Sequence, residues 1–250
     1  MKEVLELIEQ KKQEFAKLPF FEYLRDEKID PRQRLVWAPC ITPLVMAAKD
    51  LNLSVFREKQ ANEPIQKLIN FHTHEDGRHW KWFLSDLEKL ELDPSLRFTD
   101  TLRFLWGEET QKARLLAYSL VAGTFTADVT VRLVAIEAIE ATANVAFSAF
   151  AEVGEELQKI TNKRHIYFSK PHLDVENGHI YADIENVEII LQDIQLTDKQ
   201  NAQALDLVDK VFEAFTQMIN HLMIYAQNNS IKKNLIPEYF PGNQTALPVA

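Results

Sequence analysis

The 250-residue sequence contains one cysteine, Cys40, and only six glycines. A single cysteine excludes an intrachain disulfide and fits a reducing compartment. Because Cys40 lies between apolar residues, an inert buried thiol is expected there. The scarcity of glycine argues against a turn-rich β architecture.

Basic runs and long apolar runs are also missing. The net charge of −9 argues against nucleic-acid binding, which needs clustered Lys and Arg. No uninterrupted apolar stretch approaches the ~18–20 residues that cross a bilayer. The N-terminus reads as an amphipathic helix rather than a signal peptide. We therefore expect a cytoplasmic protein with no nucleic-acid or membrane partner.

Apolar residues recur at helical spacing along most of the chain, which predicts an all-α fold. Asp30-Pro31 and Asn62-Glu63-Pro64 are helix-start signals. No unit of about 34–47 residues recurs, which argues against an α-solenoid. We expect one domain over 1–227 and an irregular tail over 228–250. The predicted helices are 2–17, 19–27, 31–49 (kinked at Pro39 and Pro43), 63–91, 99–106, 109–123, 127–161, 168–193 and 197–227.

Most of the seven histidines fall in two clusters, and the sharper one is late in the chain. His172, Glu176 and His179 are spaced i, i+4 and i+7, which places them on one face of a helix. Two imidazoles and a carboxylate on one face suit a divalent first-row metal. The competing interpretation is that they are ordinary surface or capped residues.

The second cluster surrounds His79. On a helix, His79 shares a face with Asp76, Glu75 and His72. The segment can therefore direct one histidine and at least one carboxylate toward a common point. Which carboxylate does so depends on the helix phase, which the sequence leaves open.

The third element is 135–147, which is apolar almost all round and so predicts a core helix. Glu137 and Glu140 lie in it, and a buried carboxylate is costly unless it is paired or coordinated. Pairing with Arg132 or a lysine of a neighbouring helix is the alternative. Together the three helices offer three histidines and three carboxylates, enough for two iron ions with positions left for O2 and substrate. Such sites also take Mn or Zn, so the metal's identity stays open.

These motifs resemble those of the haem-oxygenase-like diiron oxidases. HxxxExxH on a late helix, a glutamate about 32 residues upstream and a carboxylate–histidine pair on an earlier helix carry the resemblance. The strings 72–80 and 136–147 look closest to the cyanobacterial branch that contains the nitrile-forming enzyme of aetokthonotoxin biosynthesis. The similarity covers roughly 5–225, but its specific part is confined to the three motifs.

The resemblance implies a haem-oxygenase-like helical bundle and a set of metal ligands. Within the family pattern, Glu140 matches the bridging carboxylate better than Glu137 does. Where one relative has Glu seven residues before the early histidine, this chain has His72, so the sixth ligand is open. The residues that match or compete for a ligand position are Glu75, Asp76, His79, Glu140, His172, Glu176 and His179.

The resemblance further implies a cofactor of two Fe ions (Fe2+/Fe3+), with O2 as co-substrate. The expected function is oxidation or cleavage of a small organic substrate, favoured to be amino-acid derived, with nitrile formation from a tryptophan derivative as the narrowest version. Helical faces of this kind often dimerise, so a homodimer stays open beside a monomer. A haem oxygenase is excluded because residues 1–71 contain no histidine for its axial ligand.

Two other classes compete. A ferritin-like di-iron carboxylate protein would use Asp76-x-x-His79 and Glu176-x-x-His179 as its repeated pair, although His172 is an extra ligand in that pattern. A metal-free helical binding module is the second alternative, and metal analysis distinguishes it.

Overall fold

A computed structural model of the chain describes residues 1–179, 191 and 193–231, and all of their side chains except those of Glu75 and residues 176–179. Within these residues the protein consists of helices and connecting turns, with no β-strand. The predicted all-α class is therefore confirmed. The α-helices are α1 Lys2–Phe15, α2 Pro19–Arg25, α3 Pro31–Arg34, α4 Thr42–Asp50, α5 Pro64–Asp76, α6 Trp80–Lys89, α7 Phe98–Trp106, α8 Gln111–Thr124, α9 Val129–Thr161, α10 Lys170–His179 and α11 Asp198–Asn228.

Side-chain caps set several helix starts. Asp30 accepts a hydrogen bond from the backbone N–H of Arg32 at 2.8 Å, with Pro31 in the first position of α3. Asp128 does the same for Thr130 at the start of α9. A reciprocal Thr197–Gln200 capping box opens α11. Each of these caps accepts a hydrogen bond from a backbone N–H group in the first turn, which has no acceptor within the helix.

The centre of the fold is α9, a helix of 33 residues that packs against α1, α2, α3, α5, α8, α10 and α11. It ends at Asn162, which adopts the left-handed conformation (φ 55°) common after a helix. By length and hydropathy alone α9 could cross a membrane, but 56% of its most apolar window is buried among the other helices. A core helix has the same properties, so the cytoplasmic location stays a prediction.

Two segments differ from the helices predicted for them. Segment 31–49 is interrupted by a 3-10 turn at Ala38–Ile41, and a π-helical turn, Leu51–Phe56, follows α4. The prediction of one helix over 63–91 is wrong, because α5 ends at Asp76 and α6 begins at Trp80. Gly77 lies in this break, and glycine costs a helix interior about 1 kcal/mol relative to alanine.

Candidate metal centre

A cavity of about 180 Å³ lies inside the bundle, with α4, α5, α9 and α11 around it. Most of its wall is aliphatic or aromatic. Because α5, α9, α10 and the turn before α6 all reach this cavity, it collects residues that are distant in sequence. Its histidine and carboxylate lining residues are His72, Asp76, His79, Glu140 and His172.

His72, Asp76 and Glu140 form one group. His72 and Asp76 are one turn apart on α5, and Glu140 faces them from α9. The Nε2 atom of His72 lies 3.1 Å from Oε1 of Glu140 and 3.3 Å from Oδ2 of Asp76. One donor atom from each residue lies within 4.8 Å of the other two. This is close to the spacing of ligands around one first-row metal ion, whose bonds are about 2.0–2.2 Å long.

The neighbouring carboxylates determine the protonation of His72. Burial lowers the pKa of His72, but the carboxylates of Glu140, Asp76 and Glu137 raise it more, to about 10. Without a metal ion the imidazole is therefore positively charged at neutral pH. The carboxylates of Asp76 and Glu140 beside this ring favour a cation, and a metal ion would supply it in place of the proton.

The sequence of α9 offers Glu137 and Glu140 as alternative metal ligands. Glu140 lines the cavity and hydrogen-bonds with His72. The lining of the cavity does not include Glu137. Burial raises the pKa of the Glu137 carboxyl, and the charge of His72 partly offsets this. Glu140 is therefore the carboxylate that α9 presents to the candidate centre.

His79 and His172 form the second group. The Nδ1 atom of His172 lies 3.0 Å from the carbonyl oxygen of Tyr167. Because a carbonyl only accepts, Nδ1 donates, and the neutral ring carries its lone pair on Nε2. That Nε2 atom lies 3.1 Å from Nδ1 of His79. A backbone carbonyl behind a histidine is the usual support of a metal-binding imidazole.

Aromatic rings surround this pair. Trp82 stacks on His79 with ring centroids 4.5 Å apart and planes at 17°. The rings of Phe147 and His172 have centroids 3.8 Å apart. His79 is 8% exposed and His172 is 1% exposed. The two imidazoles are thus held in fixed orientations and shielded from bulk water.

The structure brings together four of the seven residues proposed as ligands (Asp76, His79, Glu140 and His172) and adds His72, which had been an alternative. The side chains of Glu75, Glu176 and His179 lie outside the described residues. The backbone of α10 is helical as far as His179, as the HxxxExxH motif predicts.

One geometric prediction is wrong. His79 was expected to share a helical face with Asp76, but it lies at the end of the turn between α5 and α6, immediately before the first residue of α6. Asp76 lies beside His72, whereas His79 lies against His172. Gly77 was the available signal for this separation.

The residues that line the cavity fit a bound metal in their chemistry. They supply three imidazoles and two carboxylates, the nitrogen and oxygen donors that Fe2+ accepts. Comparison of the sequence with models of protein families gives no match, and comparison with curated proteins gives none either.

Proposed function

We propose that the chain is a non-haem diiron oxidase or oxygenase with a haem-oxygenase-like bundle, which uses O2 to oxidise or cleave a small organic substrate. The observation that carries the proposal is the convergence of His72, Asp76, His79, Glu140 and His172 on one apolar cavity. Buried histidines and carboxylates are costly in such surroundings unless they are paired or coordinated. Five of them on one cavity is unusual for a purely structural core.

Each residue has a role in this proposal. His72, Asp76 and Glu140 hold one iron ion, and His79 and His172 contribute to the second. Glu176 and His179, predicted from the α10 motif, complete the set, and Glu75 is a further candidate. When bound, two Fe2+ ions would supply electrons to O2 and be oxidised to Fe3+.

The protein's own contribution is orientation and exclusion of water. The carbonyl of Tyr167 keeps the proton of neutral His172 on Nδ1, so that Nε2 is the atom that would bind a metal ion. Trp82 and Phe147 restrict the rings of His79 and His172. The apolar wall lowers the local dielectric, which strengthens the attraction between carboxylates and a cation.

The size of the cavity limits the substrate. An engineered apolar cavity of about 150 Å³ is known to hold benzene, and this one is about 180 Å³. The cavity therefore fits a substrate that carries a single aromatic ring or a short apolar chain. An amino-acid-derived substrate with one aromatic ring satisfies this limit. The two fused rings of a tryptophan derivative exceed it, so nitrile formation from such a derivative is the narrowest and least well supported version of the proposal.

The ferritin-like alternative is less well supported. It requires Asp76 and His79 to act as an i, i+3 pair on one helix. The break after α5 separates them, and each contacts a different partner.

Anaerobic Fe2+ titration followed by exposure to O2 tests the proposal. We expect about two iron ions per chain for the wild type and consumption of O2 by the loaded protein. His172→Ala and His72→Ala should each lower the stoichiometry. His74→Ala is the matched control, because His74 is an exposed histidine on α5 that contacts Arg57 outside the cavity.

Unchanged iron uptake in both cavity variants would overturn the assignment. A wild type that takes up no iron would instead favour the metal-free binding module.

A further inference from the structure

The outward side of α8 is uncharged, which is uncommon for an exposed helix face. Residues 115–127 contain no Asp, Glu, Lys or Arg. Four large apolar residues within this stretch are solvent-exposed: Leu115 at 50%, Tyr118 at 58%, Val121 at 36% and Phe125 at 66%. We name these four residues the α8 face.

The α8 face is distinct from the side of the helix that packs in the core. Leu116 and Leu120 are buried, and α8 packs against α4 and α11. At 100° per residue the four residues of the α8 face fall within about 120° of one another. Ala122 is exposed between them and Ser119 is exposed beside Leu115, and such small residues allow another helix to approach closely.

A second apolar stripe lies on α7, whose end is fixed beside α8. Arg114 donates hydrogen bonds to the carbonyl oxygens of Leu105, Trp106 and Gly107, the last of these at 3.0 Å. The side chain thus joins the C-terminal end of α7 to the first turn of α8. The exposed stripe is spaced i, i+4 and i+8 on α7: Phe98 at 75%, Leu102 at 38% and Trp106 at 66%.

The exposed area is in the range that a dimer needs. Four of the seven residues are aromatic, and each aromatic side chain can bury about 150–250 Å². At their exposed fractions these rings alone offer on the order of 500 Å². A standard interface buries about 800 Å² per partner, and the three aliphatic residues add to the aromatic contribution. Aromatic enrichment with depletion of charge is also the composition of an interface core.

Charge favours a second copy of this chain as the occupant. The whole chain has a net charge of −9, so most of its surfaces repel their own copies. Residues 97–127 contain four basic and three acidic residues, which makes this region nearly neutral. Two copies that meet here avoid most of that repulsion.

We propose that the α8 face, flanked by the α7 stripe, is the contact surface of a two-fold symmetric homodimer. The two α8 helices pack against each other across the axis, with Tyr118 and Phe125 buried on both sides. An isologous contact of this kind closes on itself and leaves no second surface for further growth. The dimer is independent of the metal centre, so neither proposal depends on the other.

Light scattering coupled to gel filtration, on the full chain at micromolar concentration, tests this proposal. The wild type should have twice the chain mass of 28.9 kDa. Tyr118→Glu should halve that mass, because a desolvated carboxylate would face its own copy across the axis. Ile160→Glu is the matched control, since Ile160 on α9 is 60% exposed and lies outside both apolar stripes; it should remain dimeric.

Folding of the variants is checked by far-ultraviolet circular dichroism and thermal melting. Should Tyr118→Glu fail to fold, Leu115→Lys takes its place on the same face. A monomeric wild type overturns the proposal, as does a dimer that tolerates both face variants. Flotation of monomeric wild type with phosphatidylglycerol vesicles would assign the face to a lipid surface instead.

Discussion

The Nε2 atom of His172 lies 3.1 Å from the Nδ1 atom of His79, although the two residues are 93 positions apart. His172 belongs to the first turn of α10, and His79 precedes α6. The carbonyl of Tyr167 fixes one ring and the indole of Trp82 packs on the other. This half of the candidate centre therefore depends on the contact of α6 with the start of α10, whereas the His72 group depends on the contact of α5 with α9.

Glu140 and Glu137 allow a matched comparison on one helix. We expect Glu140→Gln to weaken Fe2+ binding by more than about 100-fold, because loss of residues that merely support a ligand already costs ~10–100-fold. Glu137→Gln should leave iron stoichiometry at the wild-type value, since Glu137 does not line the cavity. Iron analysis after anaerobic loading measures both, and equal losses in the two variants would contradict the assignment of Glu140.

The pKa of His72 gives metal binding a pH dependence. In the metal-free protein this pKa is raised from 6.5 to about 10. A metal ion must therefore displace one proton at any pH below about 10. The apparent affinity for Fe2+ should rise about tenfold per pH unit across pH 6.5–8, since one proton leaves for each ion bound.

The stability of the metal-free protein should change in the opposite direction. A pKa that is raised on folding stabilises the fold fully below pH 6.5, and this contribution is lost as the pH rises toward 10. Anaerobic titrations and thermal melts across pH 6.5–8 measure the two trends. An Fe2+ affinity independent of pH in this range would show that no metal ion replaces the proton of His72.

Local signals in the sequence were enough for most of the helices. Asp30-Pro31 predicted the start of a helix, and the Asp30 side chain caps α3 there. The predicted helices 127–161 and 197–227 correspond to α9 and α11. The apolar pattern around Glu140 correctly predicted a core helix. These features depend on residues within a few positions of one another, which is why one sequence suffices.

The relations between helices were harder to predict. The break between α5 and α6 had one weak signal, Gly77, and the helical period continues through it in the sequence. The sequence contains no signal for Asp86, because its two backbone partners lie about 80 positions away. Which histidine meets which carboxylate depends on how helices pack, and no short-range pattern encodes that.

Asp86 is buried and should stabilise the fold strongly. Its carboxylate accepts hydrogen bonds from the backbone N–H groups of Ile166 and Phe168 and from the ammonium group of Lys89. Asp86→Ala would leave the buried N–H group of Phe168 and the partly buried N–H group of Ile166 without their acceptor, at roughly 1–3 kcal/mol each. We therefore expect a loss of about 2–5 kcal/mol in the free energy of unfolding, measured in urea.

Asp206 supplies the control for this measurement. Its ion pair with Lys210 is exposed on one face of α11, and such pairs contribute about 0–1 kcal/mol. Asp206→Ala should therefore change the unfolding midpoint little. If Asp86→Ala were equally mild, the turn between α9 and α10 would not depend on the Asp86 carboxylate.

Gly154 marks the closest approach between α9 and the segment that leads into α10. A Cβ atom at this position would lie 2.0 Å from the carbonyl oxygen of Phe168 and 2.6 Å from Cβ of Ser169. Backbone must move to admit a methyl group there, and overpacking of this kind costs about 1–3 kcal/mol. We expect Gly154→Ala to lower the free energy of unfolding by that amount. Because His172 follows Ser169 by three residues, the displacement should also weaken iron binding.

Gly123→Ala separates this steric effect from the general effect of replacing glycine in a helix. A Cβ atom at Gly123 would meet only the Cδ1 atom of Leu207, at 3.0 Å, and a leucine side chain can rotate away. Alanine is also favoured over glycine within helices by up to about 1 kcal/mol, so this variant should be neutral or stabilised in urea. A Gly154→Ala protein as stable as the wild type would contradict the 2.0 Å distance between an added Cβ atom and the carbonyl oxygen of Phe168. The segment before α10 would then lie further from α9, and the position of His172 beside His79 would also be wrong.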